Sequence, residues 1–176
     1  MENDKLENLR HQILNLSKQY FNEKNSINSE FVAHISEIPV TGKVLNDEDL
    51  INLVDSSLDT WLTSGRFTDN FEKSLRKYLG VRHCLFVNSG SSANLLALSG
   101  LKILYEIPDG SEVITSSVNF PTTMNPIIQN NLKPVLVDVE PNNFNINPDL
   151  IEEKINSKTV GIVLAHTLGN PFDLEK

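Results

Sequence analysis

Residues 88–98 read N-S-G-S-S-A-N-L-L-A-L, and this stretch decides the fold. The apolar run C-L-F-V at 84–87 in front of it is typical of a buried parallel strand. Behind it, apolar side chains recur at helical spacing: Ala93, Leu96, Ala97, Leu101 and Leu104. The stretch therefore predicts a strand at 84–88, a tight glycine–serine turn, and a helix over 91–105.

The turn has the chemistry of an anion-binding site. The amides of Ser91, Ser92 and Ala93 lie at a helix start, where N–H groups are unpaired and the macrodipole adds partial positive charge. Small residues such as Gly90 let a phosphate approach this backbone. A second interpretation fits the same residues, in which Ser89 or Ser91 caps the helix and Gly90 relaxes the turn. The stretch alone leaves both interpretations open.

Composition excludes several classes of partner. The 176 residues include 15 basic and 23 acidic ones, for a net charge of −8, and no basic cluster, which argues against nucleic-acid binding. No apolar run approaches the roughly 20 residues of a membrane span, and the charged N-terminus does not resemble a signal peptide. We therefore expect a cytoplasmic protein without a membrane partner. The single cysteine, Cys84, is expected to be a buried apolar residue.

The N-terminal part is predicted to be helical. Apolar spacing predicts an amphipathic helix over 4–22, packed on the body of the protein or on a second subunit. Residues 23–45 are polar and irregular, with Pro39 and Gly42, and predict an extended arm. A second helix is expected to begin at Asn46 or Asp47, with an apolar stripe made of Leu50, Leu53, Val54, Leu58 and Trp61.

A third helix is expected after a break at 63–67. Thr68 or Asp69 is predicted to cap it, with Glu72 completing a capping box, and Gly80 to end it. Its buried face is expected to consist of Phe71, Leu75, Tyr78 and Leu79.

From Val81 onward, strand and helix patterns alternate. Strands are predicted near 84–88, 112–116, 134–139 and 159–165, and helices near 91–105, 121–131 and 148–156. This order predicts an α/β fold with a mostly parallel sheet and helices on both faces. We expect an N-terminal helix and arm over 1–45, followed by an α/β domain over 46–176.

Ligands of such sheets bind at the carboxyl ends of the strands. The loop S-S-V-N-F-P-T-T places Phe120 at this edge, and the loop H-T-L-G-N-P-F-D places His166, Thr167 and Asn170 there. An anion site, a flat ring and polar groups suit a phosphorylated aromatic cofactor. Phe120 as a core residue and His166 as a buried structural histidine remain alternatives. Metal-ligand spacing, G-x-G-x-x-G and G-x-S-x-G are absent, so a metal, dinucleotide or hydrolase site is not expected.

Four motifs together resemble a known family: W-L-T-S-G-R-F-T-D-N-F-E at 61–72, N-S-G-S-S-A-N-L-L-A at 88–97, F-P-T-T-M-N-P-I-I-Q-N at 120–130 and H-T-L-G-N-P-F-D at 166–173. They are similar to the DegT/StrS-type sugar aminotransferases and the sugar 3-dehydrases related to them. These are fold-type-I pyridoxal phosphate enzymes. The resemblance implies the N-terminal part of an aspartate aminotransferase-like large domain, and a chain that continues in the intact enzyme.

The resemblance also assigns roles. A phosphate-binding turn, a ring that stacks on the pyridine and a cleft-lining histidine are implied at Gly90, Ser91, Ser92, Phe120 and His166. Arg66 and Phe67 would lie beside the sugar-nucleotide site. The catalytic base, a lysine or in the 3-dehydrases a histidine, would lie beyond Lys176, as would the cysteines of any iron–sulfur cluster.

The implied function is the removal of the C3 hydroxyl from a nucleotide-linked 4-keto-6-deoxyhexose in the synthesis of lipopolysaccharide O-antigen sugars. Pyridoxal 5'-phosphate or pyridoxamine 5'-phosphate is the expected cofactor. A homodimer and an iron–sulfur flavin reductase are the expected partners. Two alternatives stay open: a nucleotide-sugar aminotransferase, and a catalytically inert half or binding module. The 176-residue chain alone is expected to be inactive.

Overall fold

A computed structural model describes residues 2–26, 31–38 and 42–176. The chain divides into two compact units, 1–86 and 87–176. The domain boundary expected after residue 45 stays a prediction. Among the described residues, no helix combines the length and apolar character needed to cross a bilayer.

The first unit consists of three helices, α1 (Glu2–Ser26), α2 (Asp47–Leu58) and α3 (Arg66–Leu79). The helix predicted over 4–22 is confirmed and takes in the start of the predicted arm up to Ser26. Residues 31–38 and 42–45 form neither helix nor strand, and Pro39 lies outside the described residues. α2 begins as predicted, with Asn46 and Asp49 forming a capping box.

α1 does not turn its predicted apolar stripe toward α2. The side chains that predicted the helix are exposed in this chain: Leu6, Leu9, Ile13, Leu16 and Tyr20. The half-buried residues follow a neighbouring line: Arg10, Leu14, Ser17 and Phe21. Because Arg10 and Lys18 form ion pairs with α2, charge sets which face of α1 meets it.

α3 begins earlier than predicted. Its N-cap is Gly65, whose carbonyl accepts the Asp69 amide at 3.0 Å, so the predicted cap at Thr68 or Asp69 is wrong. Glu72 forms no capping box because its carboxylate accepts the amide of Phe86 at 2.7 Å. The cap is instead a glycine in extended backbone (φ −148°), which makes no side-chain hydrogen bond to the helix.

The end of α3 is as predicted, since Gly80 closes the helix in the left-handed region at φ 68°. The predicted buried face is wrong, however, because Phe71, Tyr78 and Leu79 are exposed in this chain. Trp61, assigned to the stripe of α2, lies beyond the end of that helix and is also exposed.

The second unit is the predicted α/β fold. It contains α4 (Gly90–Leu104), β1 (Glu112–Ser116), α5 (Pro121–Gln129), β2 (Lys133–Val137) and β3 (Thr159–Ile162). The three strands are parallel in the order β2-β1-β3, and in this register Ile114 lies between Val135 and Ile162. Because the strands are parallel, the loops that follow them emerge at one edge.

Alternate residues of β1 serve two separate apolar clusters. On one face Val113 packs with side chains of α4, α5 and the turn after α5: Leu98, Ile127 and Leu132. On the other face Ile114 packs with Val137 and Ile146. The helix predicted over 148–156 is instead two 3-10 turns, Pro148–Leu150 and Glu152–Lys154. The Asn147 side chain accepts the Asp149 amide and so favours a local turn over an α-helix.

The strand predicted at 84–88 is not formed. A strand requires a hydrogen-bonded neighbour, and the sheet of the described residues contains only β2, β1 and β3. Within the described ranges no other strand pairs with this segment. Leu85 and Phe86 are consequently exposed, and Cys84 is half-buried rather than buried as expected.

Candidate functional site

The start of α4 is both capped and partly open. Ser89 is the N-cap, and its Oγ accepts the Ser92 amide at 3.2 Å, while its carbonyl accepts the Ala93 amide at 3.0 Å. The capping interpretation is therefore confirmed, with Ser89 as the cap. Two of the three amides predicted to face an anion are occupied. In the part of the chain that the structure describes, the amides of Gly90 and Ser91 have no acceptor.

The turn that carries these two amides also carries serine hydroxyl groups. The Oγ of Ser92 donates to Asn88 Oδ1 at 2.7 Å, and the Oγ atoms of Ser89 and Ser92 are 3.2 Å apart. A Cβ placed on Gly90 meets no atom within 4 Å, so the space beside this backbone is open. Asn88 was missed as a site residue, although it directly precedes the serine–glycine turn. The turn offers two amides and an open approach to an anion.

A hydrogen bond between helices brings Phe120 to the same end of the unit. Asn94, one turn into α4, donates from Nδ2 to the carbonyl of Thr122 in the first turn of α5, at 3.1 Å. Phe120 is the N-cap of α5 and is 72% exposed. Its ring is therefore not a core side chain in this unit. The exposed ring and the open amides of α4 belong to neighbouring helix starts.

The loop that carries Phe120 is firmly held. Ser116 Oγ donates to the carbonyl of Val118 at 2.9 Å, and the Asn119 side chain donates to the Ser116 carbonyl. The amide of Ser117 donates to Val137 at the end of β2, at 2.8 Å. Pro121 follows Phe120 at the first helical position, where its fixed φ suits a helix start. A rigid support of this kind suits a stacking residue.

His166 follows β3 at the same sheet edge and is exposed, so the buried-histidine interpretation is not met. Its ring lies against Phe172 with centroids 4.3 Å apart, and its Nδ1 accepts the Phe172 amide at 3.3 Å. A neutral imidazole that accepts at Nδ1 carries its proton on Nε2. That nitrogen has no protein partner in the described residues and can donate to a ligand.

Asn145 supports this loop and was missed by sequence reasoning. It is only 2% exposed, and its Oδ1 accepts the Thr167 amide at 3.0 Å. Its Nδ2 donates to the carbonyl of Asn170 at 3.0 Å. Nothing in the run N-N-F-N-I-N at 142–147 distinguishes this asparagine from its neighbours.

The predicted substrate residues Arg66 and Phe67 belong to the first unit. The Arg66 guanidinium lies 4.2 Å from the centroid of the Phe67 ring and is hydrogen-bonded to Asp59 and Asp55. The hydrogen bond to Asp59 raises the pKa of Arg66 most, and the hydrogen bond to Asp55 raises it further. In return the hydrogen bond from Arg66, followed by that from Arg10, lowers the pKa of Asp59. Within the described chain only Nη1 of the Arg66 guanidinium lacks a protein acceptor.

A parallel sheet with an open helix start and an exposed ring at its carboxyl edge is the arrangement in which α/β proteins bind their ligands. The profile of the DegT/DnrJ/EryC1/StrS aminotransferase family matches residues 44–176. The chain therefore belongs to this family, and the resemblance drawn from the four motifs is confirmed.

Several relatives carry names from sugar metabolism. The chain is 50% identical over 173 residues to the lipopolysaccharide biosynthesis protein RfbH of Salmonella typhimurium, covering 96% of this chain and 39% of that protein. It is 44% identical over 164 residues to dTDP-4-dehydro-2,6-dideoxy-D-glucose 3-dehydratase of Saccharopolyspora spinosa, covering 91% and 35%. The chain thus spans little more than a third of the length of these relatives.

Solved structures of the family share the fold. A GDP-4-keto-6-deoxymannose-3-dehydratase with a trapped PLP-glutamate geminal diamine aligns with a TM-score of 0.69 at 28% identity, over 79% of this chain and 36% of that one. Helicobacter pylori PseC, an aminotransferase of pseudoaminic acid biosynthesis, aligns with a TM-score of 0.68 at 29% identity, over 80% and 37%. The predicted placement in a pyridoxal phosphate transferase fold is confirmed.

Proposed function

We propose that the full-length protein is a pyridoxal phosphate- or pyridoxamine phosphate-dependent dehydrase that removes the C3 hydroxyl of a nucleotide-linked 4-keto-6-deoxyhexose. The proposed activity is that of CDP-4-keto-6-deoxy-D-glucose-3-dehydrase. It is supported by the 44% identity to a 3-dehydratase and by the solved 3-dehydratase of the same fold. The 50% identity to RfbH supports a place in lipopolysaccharide biosynthesis.

One observation carries the cofactor site: the Asn94–Thr122 hydrogen bond that joins the first turns of α4 and α5. This bond joins the helix start that carries the Gly90 and Ser91 amides to the helix start that carries Phe120, which supports a shared site. We assign the phosphate to these amides and the Ser92 hydroxyl, and the pyridine ring to Phe120. When bound, the cofactor supplies an electron-withdrawing ring that stabilises a carbanion. His166 would donate from Nε2 at the same edge.

The Ser92 hydroxyl must change partner for this role. In the structure it donates to Asn88 at 2.7 Å, and a phosphate at the Gly90 and Ser91 amides would compete for that proton. A charged acceptor forms the stronger hydrogen bond. Asn88 would then be left to accept from Ser89, whose Oγ lies 3.4 Å away.

The helix start cannot retain the cofactor by itself. A charge at a helix terminus gains about 0.3–1 kcal/mol, rising to about 2 kcal/mol when partly buried. Micromolar binding requires about 8 kcal/mol. Most of the affinity must come from stacking on Phe120 and from residues outside this chain. We therefore expect weak cofactor binding and little activity from the 176-residue chain alone.

For the substrate, we assign Arg66 and Phe67 to the sugar nucleotide. Among the described residues, Nη1 of Arg66 has no protein acceptor, and the Arg66 side chain is 48% exposed. One free N–H face can bind one phosphate oxygen while the Asp-bound nitrogens keep the guanidinium oriented. The catalytic base, and any iron–sulfur cysteines with their reductase partner, are expected downstream of Lys176.

The test is to incubate the full-length protein with pyridoxamine phosphate, a reductase and CDP-4-keto-6-deoxyglucose, and to look for the C3 elimination product by mass spectrometry. Phe120→Ala should weaken cofactor binding. Tyr105→Ala is the matched control, since Tyr105 is as exposed as Phe120 but lies at the other end of α4. Absence of any elimination product from the wild-type protein would remove the dehydrase proposal.

An aminotransferase is the second candidate, favoured by the name of the family and by the fold of PseC. Incubation of the same keto sugar with glutamate and pyridoxal phosphate decides between the two, because only the aminotransferase would form an amino sugar. Equilibrium dialysis of the 176-residue chain with pyridoxal phosphate addresses the inert-half alternative: tight stoichiometric binding would contradict it. Sedimentation of the full-length protein tests the expected homodimer.

A further inference from the structure

The first unit contains a cluster of four charged side chains, of which only one has a role in the proposed function. Asp55 and Asp59 lie four residues apart at the end of α2, where like charges on one helical face repel and the macrodipole is also negative. Two cations balance them: Arg10 from α1 and Arg66, the first residue of α3. We refer to Arg10, Asp55, Asp59 and Arg66 as the charge clasp.

Each carboxylate of the charge clasp accepts hydrogen bonds from both arginines. Asp55 accepts from Arg10 Nε on Oδ1 at 2.5 Å and from Arg66 Nη2 on Oδ2 at 2.6 Å. Asp59 accepts from Arg10 Nη2 on Oδ1 at 2.6 Å and from Arg66 Nε on Oδ2 at 2.8 Å. Arg66 Nη2 also lies 3.3 Å from Asp59 Oδ1, the oxygen that Arg10 holds. The two arginines therefore share one acceptor atom.

Arg10 also forms a hydrogen bond with the main chain of α2. Its Nη2 donates to the main-chain carbonyl of Asp55 at 2.6 Å, which is one of the carbonyls left without a helical partner at the end of α2. Planar guanidinium groups hold their donors in a rigid fork, so the carboxylates must orient to Arg10. Arg66 then binds the oxygens that Arg10 leaves exposed. Arg10 in this way sets the position available to Arg66.

Arg66 is in turn coupled to the loop in front of α3. It follows Gly65, where a Cβ would lie 3.2 Å from Cδ1 of Trp61, and it stacks on Phe67. Trp61 closes the loop by donating from Nε1 to the carbonyl of Ser64 at 2.7 Å. Asp59, Trp61 and Arg66 line one cavity of the first unit, so a displacement of the Arg66 guanidinium changes the surroundings of the Trp61 indole.

We propose that Arg10 is a positioning residue: through Asp55 and Asp59 it lets helix α1 set the conformation of loop 60–65 and the direction of Arg66. The proposal concerns the loop and does not depend on which ligand the loop binds. The side chains of the clasp are 18–48% exposed, so salt can weaken it. The packing of α1 on α2 would thus change the direction of Arg66 at the start of α3.

Trp61 is the only tryptophan, so its indole N–H gives a single, assignable signal in a ¹⁵N correlation spectrum of the 176-residue chain. Arg10→Met removes the guanidinium and keeps the aliphatic stem. Lys18→Met is the matched control, because Lys18 pairs with Asp47 at 3.1 Å between the same two helices without touching the clasp. We expect Arg10→Met to shift the Trp61 indole and Arg66 Nε–H signals, and Lys18→Met to leave both in place.

Salt provides a second measurement on the same signals. Raising sodium chloride to 1 M in the wild-type chain should move the Trp61 signal toward its position in Arg10→Met. Arg10→Lys keeps the charge, but an ammonium group lacks the planar set of donors with which the guanidinium bonds both carboxylates. It should therefore give an intermediate shift of the Trp61 signal. It also keeps the test possible if Arg10→Met fails to fold. Equal shifts in Arg10→Met and Lys18→Met, or no shift in Arg10→Met or Arg10→Lys, would overturn the proposal.

Discussion

Substitution of Ser89 separates the two roles of the α4 start. Ser89→Ala removes the oxygen that accepts the Ser92 amide at 3.2 Å. Loss of a serine N-cap costs about 1 kcal/mol, within a range of about 0.5–2 kcal/mol, whereas glycine in its place costs only a few tenths. We expect the free energy of unfolding to fall by about 1 kcal/mol in Ser89→Ala and by less in Ser89→Gly.

Ser89→Asp should restore the cap while damaging the anion site. A carboxylate caps as well as serine, and its charge at a helix N-terminus adds about 0.3–1 kcal/mol. The same charge would lie beside the phosphate assigned to Gly90 and Ser91. Two like charges about 4 Å apart repel by about 1 kcal/mol in water and about 4 kcal/mol near a protein surface. Cofactor affinity should therefore fall by about fivefold to several hundredfold, at 1.36 kcal/mol per tenfold.

The assays are urea unfolding of the 176-residue chain and spectrophotometric titration of the full-length protein with pyridoxal phosphate. The expected order of stability is Ser89→Asp at or above wild type, then Ser89→Gly, then Ser89→Ala. An Asp variant as unstable as Ser89→Ala would show that the Ser89 hydroxyl is not the cap. An Asp variant that binds pyridoxal phosphate as tightly as wild type would show that the phosphate does not lie at this helix start.

Three further predictions concern stability. Thr115 is fully buried and its hydroxyl has no hydrogen-bond partner in the part of the chain that the structure describes. The isosteric Thr115→Val should therefore raise the urea midpoint, with a gain of about 1 kcal/mol in the free energy of unfolding. Asn145→Ala leaves the Thr167 amide without its acceptor and should cost about 2 kcal/mol, with faster hydrogen exchange at that amide; unchanged exchange would contradict the assignment. The hydrogen bond from Arg66 lowers the pKa of Asp59, so ionised Asp59 stabilises the folded state fully above the unfolded pKa near 3.9, and this stabilisation is lost as pH falls further. Asp59→Asn should therefore flatten the acid limb of a curve of stability against pH. An unchanged acid limb would contradict this.

Much of the second unit could be predicted because its signals are local. The apolar runs of β1 and β2 and the helical spacing of α4 each lie within a few residues of one another, and the predicted elements match to within one or two residues at most ends. The strand at 84–88 carried an equally clear apolar signal and failed. Strand formation depends on a hydrogen-bonded partner, and the apolar pattern of a segment contains no information about whether such a partner is in place.

The charge clasp and the support of the His166 loop could not be predicted for a related reason. Arg10 and Asp55 are 45 residues apart, and Asn145 and Thr167 are 22 apart. Arginines and asparagines on polar surfaces are common, so residue type alone does not single these out. The prediction for the start of α3 failed differently: aspartate is a better cap former than glycine, but Asp69 lies inside the helix and donates its amide to the carbonyl of Gly65.

The α4 turn shows how a helix start can be capped and still leave amides available to an anion. A helix leaves its first amides without partners, and a serine cap satisfies only one of them. Here Ser89 takes the Ser92 amide, and the helix itself takes that of Ala93. In the described chain the amides of Gly90 and Ser91 remain without an acceptor, and the space beside Gly90 is open. Stability and binding therefore use different N–H groups of one turn, which is why a single substitution at Ser89 can change one without the other.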